Sequence, residues 1–108
     1  MRYSEHMCVN YQHAVEILAK RWTALILKVL MPGPMRFSAL AEQLSVVSDR
    51  VLSERLKELE REGILERRVY AETPVRIEYA LTEKGKALDP IIQAIEAWSY
   101  EWVKHQSE

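Results

Sequence analysis

The stretch SVVSDRVLSERLKELEREGILERRVYAETPVRIEYALTEKG, residues 45–85, decides the predicted fold of this chain of 108 residues. It predicts a helix over residues 48–62, then two short strands joined by a tight tip, and then the start of another helix. Ser48 can cap the free backbone N–H groups of the first helix, and Asp49 complements the positive end of its dipole. Gly63 then ends this helix.

The helix over residues 48–62 is amphipathic. At about 100° per residue, one arc carries the apolar side chains Val51, Leu52, Leu56 and Leu59. The opposite side carries cations and their polar neighbours, Arg50, Ser53, Glu54, Lys57 and Arg61. Such a face suits a helix that enters a DNA groove, because phosphates supply affinity while Arg, Ser and Glu can address base edges. A solvated face of (i, i+4) ion pairs, such as Arg50 with Glu54, is the alternative, and the helix alone leaves both open.

Two predicted strands follow this helix directly. ILERRVY at residues 64–70 forms the first, and Pro74 suits the hairpin tip. In the second, VRIEYAL at residues 75–81, two sets of side chains alternate: Val75, Ile77, Tyr79 and Leu81 against Arg76, Glu78 and Ala80. A helix followed at once by a β-hairpin is typical of a winged helix-turn-helix. The predicted fold class is therefore mainly α with a small β-hairpin.

Three helices are predicted upstream, after an arm formed by residues 1–9. Residues 10–20 predict a helix with four inward side chains, Ala14, Val15, Ile17 and Leu18. WTALILKVLM, residues 22–31, predicts an apolar helix ended by Pro32, with five core residues, Trp22, Leu25, Ile26, Val29 and Leu30. SALAEQLS, residues 38–45, predicts the first helix of the helix-turn-helix, with Phe37, Leu40 and Leu44 packing inward.

A final helix is predicted from Thr82, its capping residue, through residue 106. Pro90 lies inside this pattern and should kink the helix rather than end it, since apolar residues continue on both sides. Its apolar stripe is more than three turns long: Leu88, Ile91, Ile92, Ile95, Trp98, Trp102 and Val103. So small a domain offers little core for this stripe, so we expect it to form a dimer interface with a second subunit.

The chain resembles the HxlR-type, MarR-related transcriptional regulators of bacteria and archaea. The matching stretches are RW at 21–22, GPMRF at 33–37, VLSERLKELEREGIL at 51–65, ETPVRIEY at 72–79 and LTEKGKAL at 81–88. They span roughly residues 8–105 in the family's order and spacing. Two family glycines before the basic residue and tryptophan are replaced here by Ala19 and Lys20.

The resemblance implies a homodimer, built through the terminal helices, that binds double-stranded DNA and acts as a repressor or autoregulator. We expect a single domain over residues 1–108, with the recognition helix and wing in 45–81 and the dimerisation helix in 82–105. The expected DNA-binding residues are Arg36, Ser48, Arg50, Ser53, Glu54, Lys57, Arg61 and Arg76. Because two recognition helices would be related by the dimer axis, the expected operator is an inverted repeat.

Cys8 stands where the resembling family carries an N-terminal cysteine, whose thiol in some members senses quinones, aldehydes or oxidants. A nearby positive charge lowers a thiol's pKa, and His6 could supply it. The family's proline after the cysteine is Val9 here. The alternative is an unreactive, partly buried thiol, and the sequence leaves both open. A metal at His6, Cys8 and His13 is disfavoured, because this spacing matches no common zinc pattern.

Composition bounds the remaining function classes. The net charge of −1 is unusual for a nucleic-acid binder, but the cations Arg36, Arg50, Lys57, Arg61, Arg67, Arg68 and Arg76 cluster in the central third. The sequence contains no phosphate-binding glycine loop or nucleophile elbow, so we expect neither an enzyme nor a cofactor. The N-terminus lacks a signal-peptide core and no apolar run approaches a membrane span, so we expect a cytoplasmic protein. A winged-helix module that binds protein instead of DNA is the alternative, although it would not need cations on both helix and wing.

Overall fold

The computed structural model describes the backbone of residues 5–103 and the side chains of residues 9–103. The elements in chain order are α1 (Glu5–Leu18), α2 (Thr23–Leu30), α3 (Phe37–Gln43), α4 (Asp49–Arg61), β1 (Leu65–Tyr70), β2 (Arg76–Leu81), α5 (Glu83–Lys86) and α6 (Asp89–Trp102). A pair of helices, α3 and α4, is followed by a β-hairpin, as the sequence predicts. The predicted fold class is confirmed.

The two ends of α4 form as the sequence predicts. The Oγ of Ser48 accepts a hydrogen bond of 3.2 Å from the backbone N–H of Val51. Gly63 has a φ of 76°, which allows the N–H of Ile64 to reach the carbonyl oxygen of Leu59. A side chain at this φ would be strained, so glycine is needed here.

The hairpin pairs β1 with β2 in antiparallel register from Leu65↔Leu81 to Tyr70↔Arg76. A third segment, which the sequence did not predict, joins its edge. Met35 and Tyr79 exchange backbone hydrogen bonds of 2.9 and 2.8 Å. The connection before α3 is therefore fixed to the hairpin, which we call the wing.

The core lies where α2, α3, α4, the wing and α6 meet. Its members are Ile26, Leu27, Leu30, Leu40, Leu44, Val47, Leu52, Leu56, Leu59, Ile64, Leu65, Leu81 and Ile92. Ala80 was predicted to lie on the outer side of β2, but it is buried. Strict alternation ends there because other elements cover both sides of the sheet at its base.

Three apolar residues predicted to lie inward are exposed in this chain. Ala14 and Val15 of α1 are open to solvent, and so is Leu25 of α2, whereas Leu27 of α2 is fully buried. Among the side chains of α1 that the structure describes, those of Ile17 and Leu18, near its C-terminal end, pack against the core. The described apolar residues nearer its start, Val9, Tyr11 and Val15, are exposed.

The turn between α1 and α2 forms without the family's two glycines. Of residues 5–103, apart from glycine, only Trp22 has a positive φ, at 80°. Ala19 and Lys20 therefore need no glycine conformation. The guanidinium of Arg21 lies 4.5 Å from the centroid of the Trp22 ring.

The prediction of one kinked C-terminal helix is wrong. The short helix α5 ends at Lys86, and α6 begins anew after Leu88, so Pro90 lies in its first turn. Proline has no N–H to donate and would clash with the carbonyl one turn earlier, whereas in a first turn no such bond is needed. Thr82 caps α5, as predicted, by accepting a hydrogen bond of 3.2 Å from the N–H of Gly85.

Within residues 5–103, the helices are too short or too polar to cross a membrane. The radius of gyration is 16.0 Å, compared with about 13 Å for a compact domain of this size. The protomer is elongated, with principal extents of 58 × 44 × 23 Å.

Candidate nucleic-acid interface

The outer face of α4 presents cations without carboxylate partners. Arg50, Glu54, Lys57 and Arg61 are exposed, and Ser53 is half-buried. Among the residues whose side chains are described, neither Arg50, Lys57 nor Arg61 forms an ion pair, although seven ion pairs form elsewhere. The alternative of a face held by (i, i+4) ion pairs is therefore not what the structure has. These cations are available to an anionic partner.

Two further predicted residues lie at the starts of helices. Arg36 is exposed and immediately precedes α3. Ser48 is exposed, and its oxygen accepts the capping hydrogen bond of α4. The capping bond fixes where α4 begins, so Ser48 sets the position of Arg50 in the first turn.

Arg76 of the wing is neutralised by its neighbours. Its Nη2 lies 2.9 Å from the Oε2 of Glu72, its Nη1 lies 2.7 Å from the Oε2 of Glu78, and its guanidinium is 3.8 Å from the centroid of the Tyr70 ring. The hydrogen bond from Arg76 lowers the pKa of Glu72, with the charges of Arg76 and Arg36 contributing in the same direction. The hydrogen bond to Glu72 in turn raises the pKa of Arg76. The sequence interpretation missed this cluster, although Glu72 and Glu78 are four residues before and two after Arg76.

Arg67 of the wing differs from Arg76 in its charge environment. It is exposed and, among the described side chains, forms no ion pair, whereas its neighbour Arg68 is bound to Glu66 at 2.6 Å. Arg67 pairs with Tyr79 across the hairpin, so it lies on the opposite face from Arg68 and Arg76. That wing face therefore carries an uncompensated charge.

One face of α6 is apolar and open to solvent. Its members are Ile91 at 44%, Ile95 at 52%, Trp98 at 61% and Trp102 at 67% exposure. Ile92 is an exception among the predicted interface residues, because it is buried in the core, and Leu88 packs partly against that core. Further exposed apolar residues lie on α1: Val9, Tyr11 and Val15. Apolar residues in this number are unusual on the surface of a monomer.

Arg55 is a residue of α4 that the sequence interpretation did not single out. Its Nε donates a hydrogen bond of 2.9 Å to the backbone carbonyl of Arg21, and its Nη1 lies 3.4 Å from the Oε2 of Glu58. At about 140° from Arg50 it lies inside the apolar arc of α4. A cation at that position was a signal in the sequence that a specific partner holds it.

The backbones of His6 and Cys8 lie in α1, but their side chains are outside the described residues. The predictions for Cys8 and for its neighbour His6 therefore stay predictions. His13 is described, and its Nε2 lies 3.2 Å from the Oε1 of Glu62. No group of three or more potential metal ligands forms among the described side chains.

Two packed helices, an exposed basic second helix and a flanking hairpin define a winged helix-turn-helix protein of the DNA-binding class. The model of HxlR-like helix-turn-helix proteins matches residues 17–107. The chain belongs to the HxlR family and is a helix-turn-helix transcriptional regulator.

Two relatives come from Bacillus subtilis (strain 168). The HTH-type transcriptional regulator YvaP is 56% identical over 103 residues, which cover 95% of this chain and 94% of YvaP. The HTH-type transcriptional regulator YodB is 48% identical over 93 residues, which cover 86% of this chain and 83% of YodB. The reduced form of YodB superposes with a TM-score of 0.79 at 43% identity, over 95% of this chain and 97% of that one. YodB structures that are diamide-treated and quinone-bound also match, each with a TM-score of 0.75.

Proposed function

We propose that this regulator is a homodimer that binds an inverted-repeat DNA operator through α4, as a repressor or autoregulator in the cytoplasm. The observation that carries the proposal is the outer face of α4, where Arg50, Lys57 and Arg61 are free of carboxylate partners among the described side chains. On a face with only a structural role, ion pairs between these cations and carboxylates one turn away would stabilise the helix. A face that binds phosphates must leave them unpaired.

According to its position along α4, each of these cations would contact a different part of the DNA. Arg50 lies in the first turn, where a recognition helix approaches base edges, with Ser53 and Glu54 beside it. Lys57 and Arg61 lie further along, where a helix in the major groove meets phosphates. Arg36 and Arg67 would contact the phosphate backbone of the DNA beside the groove that α4 enters.

The apolar face of α6, together with the exposed apolar residues of α1, would form the dimer interface. Trp98 and Trp102 are the largest side chains there. A two-fold axis through this face would present two copies of α4 to successive major grooves, with half-site centres roughly 34 Å apart or a multiple of that. The operator should therefore be an inverted repeat.

Selection from a pool of randomised DNA duplexes tests this proposal. The purified protein should enrich one inverted repeat, and the selected duplex should then bind more tightly than its scrambled counterpart. Failure to enrich any sequence, while the protein remains folded, would instead favour a winged-helix module that binds protein. A matched protein with Arg50→Ala should enrich a repeat with one relaxed base pair in each half-site.

We also propose that Cys8 makes the regulator responsive to electrophiles or oxidants. YodB, a relative with 48% identity, is known in diamide-treated and quinone-bound forms. The alternative is an inert thiol. A Cys8→Ser protein should bind the selected duplex normally and ignore diamide and a quinone, whereas the same reagents should change the affinity of the wild type. If the wild type ignores both reagents, the thiol has no sensing role.

A further inference from the structure

Arg55 is placed differently from the cations that face DNA. Its side chain is only 17% exposed and lies inside the apolar arc of α4, between Val51 and Leu59. A cation in such surroundings is retained when specific hydrogen bonds compensate for its lost hydration. The partners of Arg55 should therefore show what it holds.

Those partners lie in the turn between α1 and α2. Arg55 donates through Nε to the carbonyl oxygen of Arg21 at 2.9 Å. Glu58, which lies 3.4 Å from Arg55, also lies 3.3 Å from the Nζ of Lys20. Arg55 and Glu58, which lie on the same side of α4, thus contact two neighbouring residues of the turn, Arg21 and Lys20.

The turn needs such support. The carbonyl that Arg55 binds belongs to the residue before Trp22, whose φ is 80°. A residue other than glycine keeps this conformation when its surroundings hold it there. Arg55 fixes the peptide group that leads into Trp22, so the orientation of α4 and the shape of the turn depend on one another.

The remaining contact between α1 and α4 surrounds an open space with both apolar and polar lining, including Ile17 and Leu59. A cavity of about 300 Å³ separates the end of α1 from the end of α4. Two ion pairs span it, Lys20 with Glu58 and His13 with Glu62. The turn that Arg55 and Glu58 hold is therefore a second connection between α1 and α4, beside the packing of Ile17 and Leu18 on the core.

We propose that Arg55 is a positioning residue that links DNA binding at α4 to the conformation of the α1–α2 turn. The inference rests on the DNA binding proposed above. Linkage of this kind is reciprocal. If DNA binding favours one conformation of the turn by a given factor, a change that favours this conformation alters the DNA affinity by the same factor. Cys8 lies in the N-terminal half of α1, and this link would give its chemistry a route to the recognition helix.

Amide hydrogen exchange of residues 19–23 tests the link, with and without a saturating amount of the selected duplex. These residues include the N–H of Thr23, which donates to the carbonyl of Lys20. In the wild type the duplex should slow this exchange about fivefold or more. In Arg55→Gln the slowing should fall below about twofold, and Arg55→Lys, which keeps the charge and one donor, should recover part of it.

Lys57→Gln is the matched control, two residues away on the same helix. It removes a proposed phosphate contact, so more duplex is needed for saturation, but the slowing in residues 19–23 should then equal that of the wild type. A purely structural role for Arg55 would instead speed exchange in every element alike, with α6 as the internal reference, and would leave the effect of DNA intact.

The outcomes separate the two proposals. Full slowing in Arg55→Gln would overturn the link and leave DNA binding standing. If Arg55→Gln does not fold, Arg55→Met, which keeps an unbranched side chain but has no donor for the carbonyl of Arg21, takes its place, and full slowing in this variant would overturn the link in the same way. A wild type that binds no duplex would overturn both proposals.

Discussion

At the scale of single residues, the cations of α4 should make different contributions to DNA binding. Replacing Arg50 by Ala should cost about 1–3 kcal/mol per half-site and relax the preference at one base pair, because Arg50 lies where base edges are read. Lys57→Ala should weaken binding to all sequences alike and lower the salt slope by about one for each phosphate that is no longer neutralised. Titrations of selected and scrambled duplexes distinguish the two, and equal loss of specificity in both variants would contradict this assignment.

The cations of the wing should also differ. Arg67→Gln should lower the salt slope of DNA binding by about one per subunit, since its charge is uncompensated among the described residues. The double change Arg76→Gln with Glu72→Gln should leave the slope unchanged, because it removes a neutral pair. Binding at several salt concentrations measures both. A lower slope in the double variant alone would show that Arg76 contacts phosphate.

The sequence predicted residues whose roles are local and missed those whose roles depend on the tertiary fold. Ser48 and Gly63 act through backbone groups a few residues away, so their positions in the sequence suffice. The neutralisation of Arg76 depends on the shape of the hairpin, and the contact of Arg55 depends on a turn 34 residues earlier. Without the fold, an exposed cation and a paired one look the same.

At the scale of elements, the junction of β2, α5 and the end of α4 requires a glycine. A Cβ at Gly85 would collide with the backbone carbonyl of Ile64. Gly85→Ala should destabilise the fold by about 1–3 kcal/mol, since backbone must shift to accept it. Gly33→Ala is the control, because an added Cβ there meets nothing within 4 Å. Denaturant unfolding compares the two, and equal stability would refute this close packing.

The ion pair between α2 and α6 should make stability depend on acid pH. Lys28 lies 2.9 Å from Glu96 and lowers the pKa of that carboxyl below its ordinary value of 4.5. A lowered pKa stabilises the fold at higher pH, and this contribution is lost as the pH falls from about 4.5 through the folded pKa. Glu96→Gln should therefore unfold at a lower temperature than the wild type at neutral pH. This difference in unfolding temperature should shrink as the pH falls. A gap that persists well below pH 4.5 would contradict this effect.

The types of the long elements were predictable, but some of their boundaries were not. Apolar periodicity continues through Pro90, so the pattern predicted one helix where the structure has α5 and α6. Periodicity records which face is apolar and does not show where one helix ends and the next begins. The restart after Leu88 depends on how Gly85 and Thr82 pack against the wing, which the pattern does not contain.

At the scale of the whole molecule, the exposed face of α6 should hold two subunits together. Ile95→Asp should convert the dimer to monomer, because a carboxylate would be buried without a partner in an apolar interface. Ala97→Asp is the matched control, since Ala97 is exposed on another side of the same helix and should leave the dimer intact. Sedimentation measures both, and a wild type that is monomeric at about tens of micromolar would contradict the dimer.

A single sequence could not distinguish apolar residues in the core of one subunit from apolar residues in an interface with a second subunit. Val15, Leu25 and Ile95 share the helical spacing of buried residues, yet all three are exposed in the protomer. Hydrophobic spacing indicates burial against something and does not say which chain supplies it. The structure divides these residues from core members such as Leu27 and Ile92.

Sequence-specific regulation is tested most directly by the affinity of the wild type for the selected duplex and for its scrambled counterpart across a range of salt. The selected duplex should bind about a thousandfold or more tightly, and both affinities should fall steeply as the salt concentration rises. Equal affinity for the two duplexes at every salt concentration would contradict sequence-specific regulation by this protein.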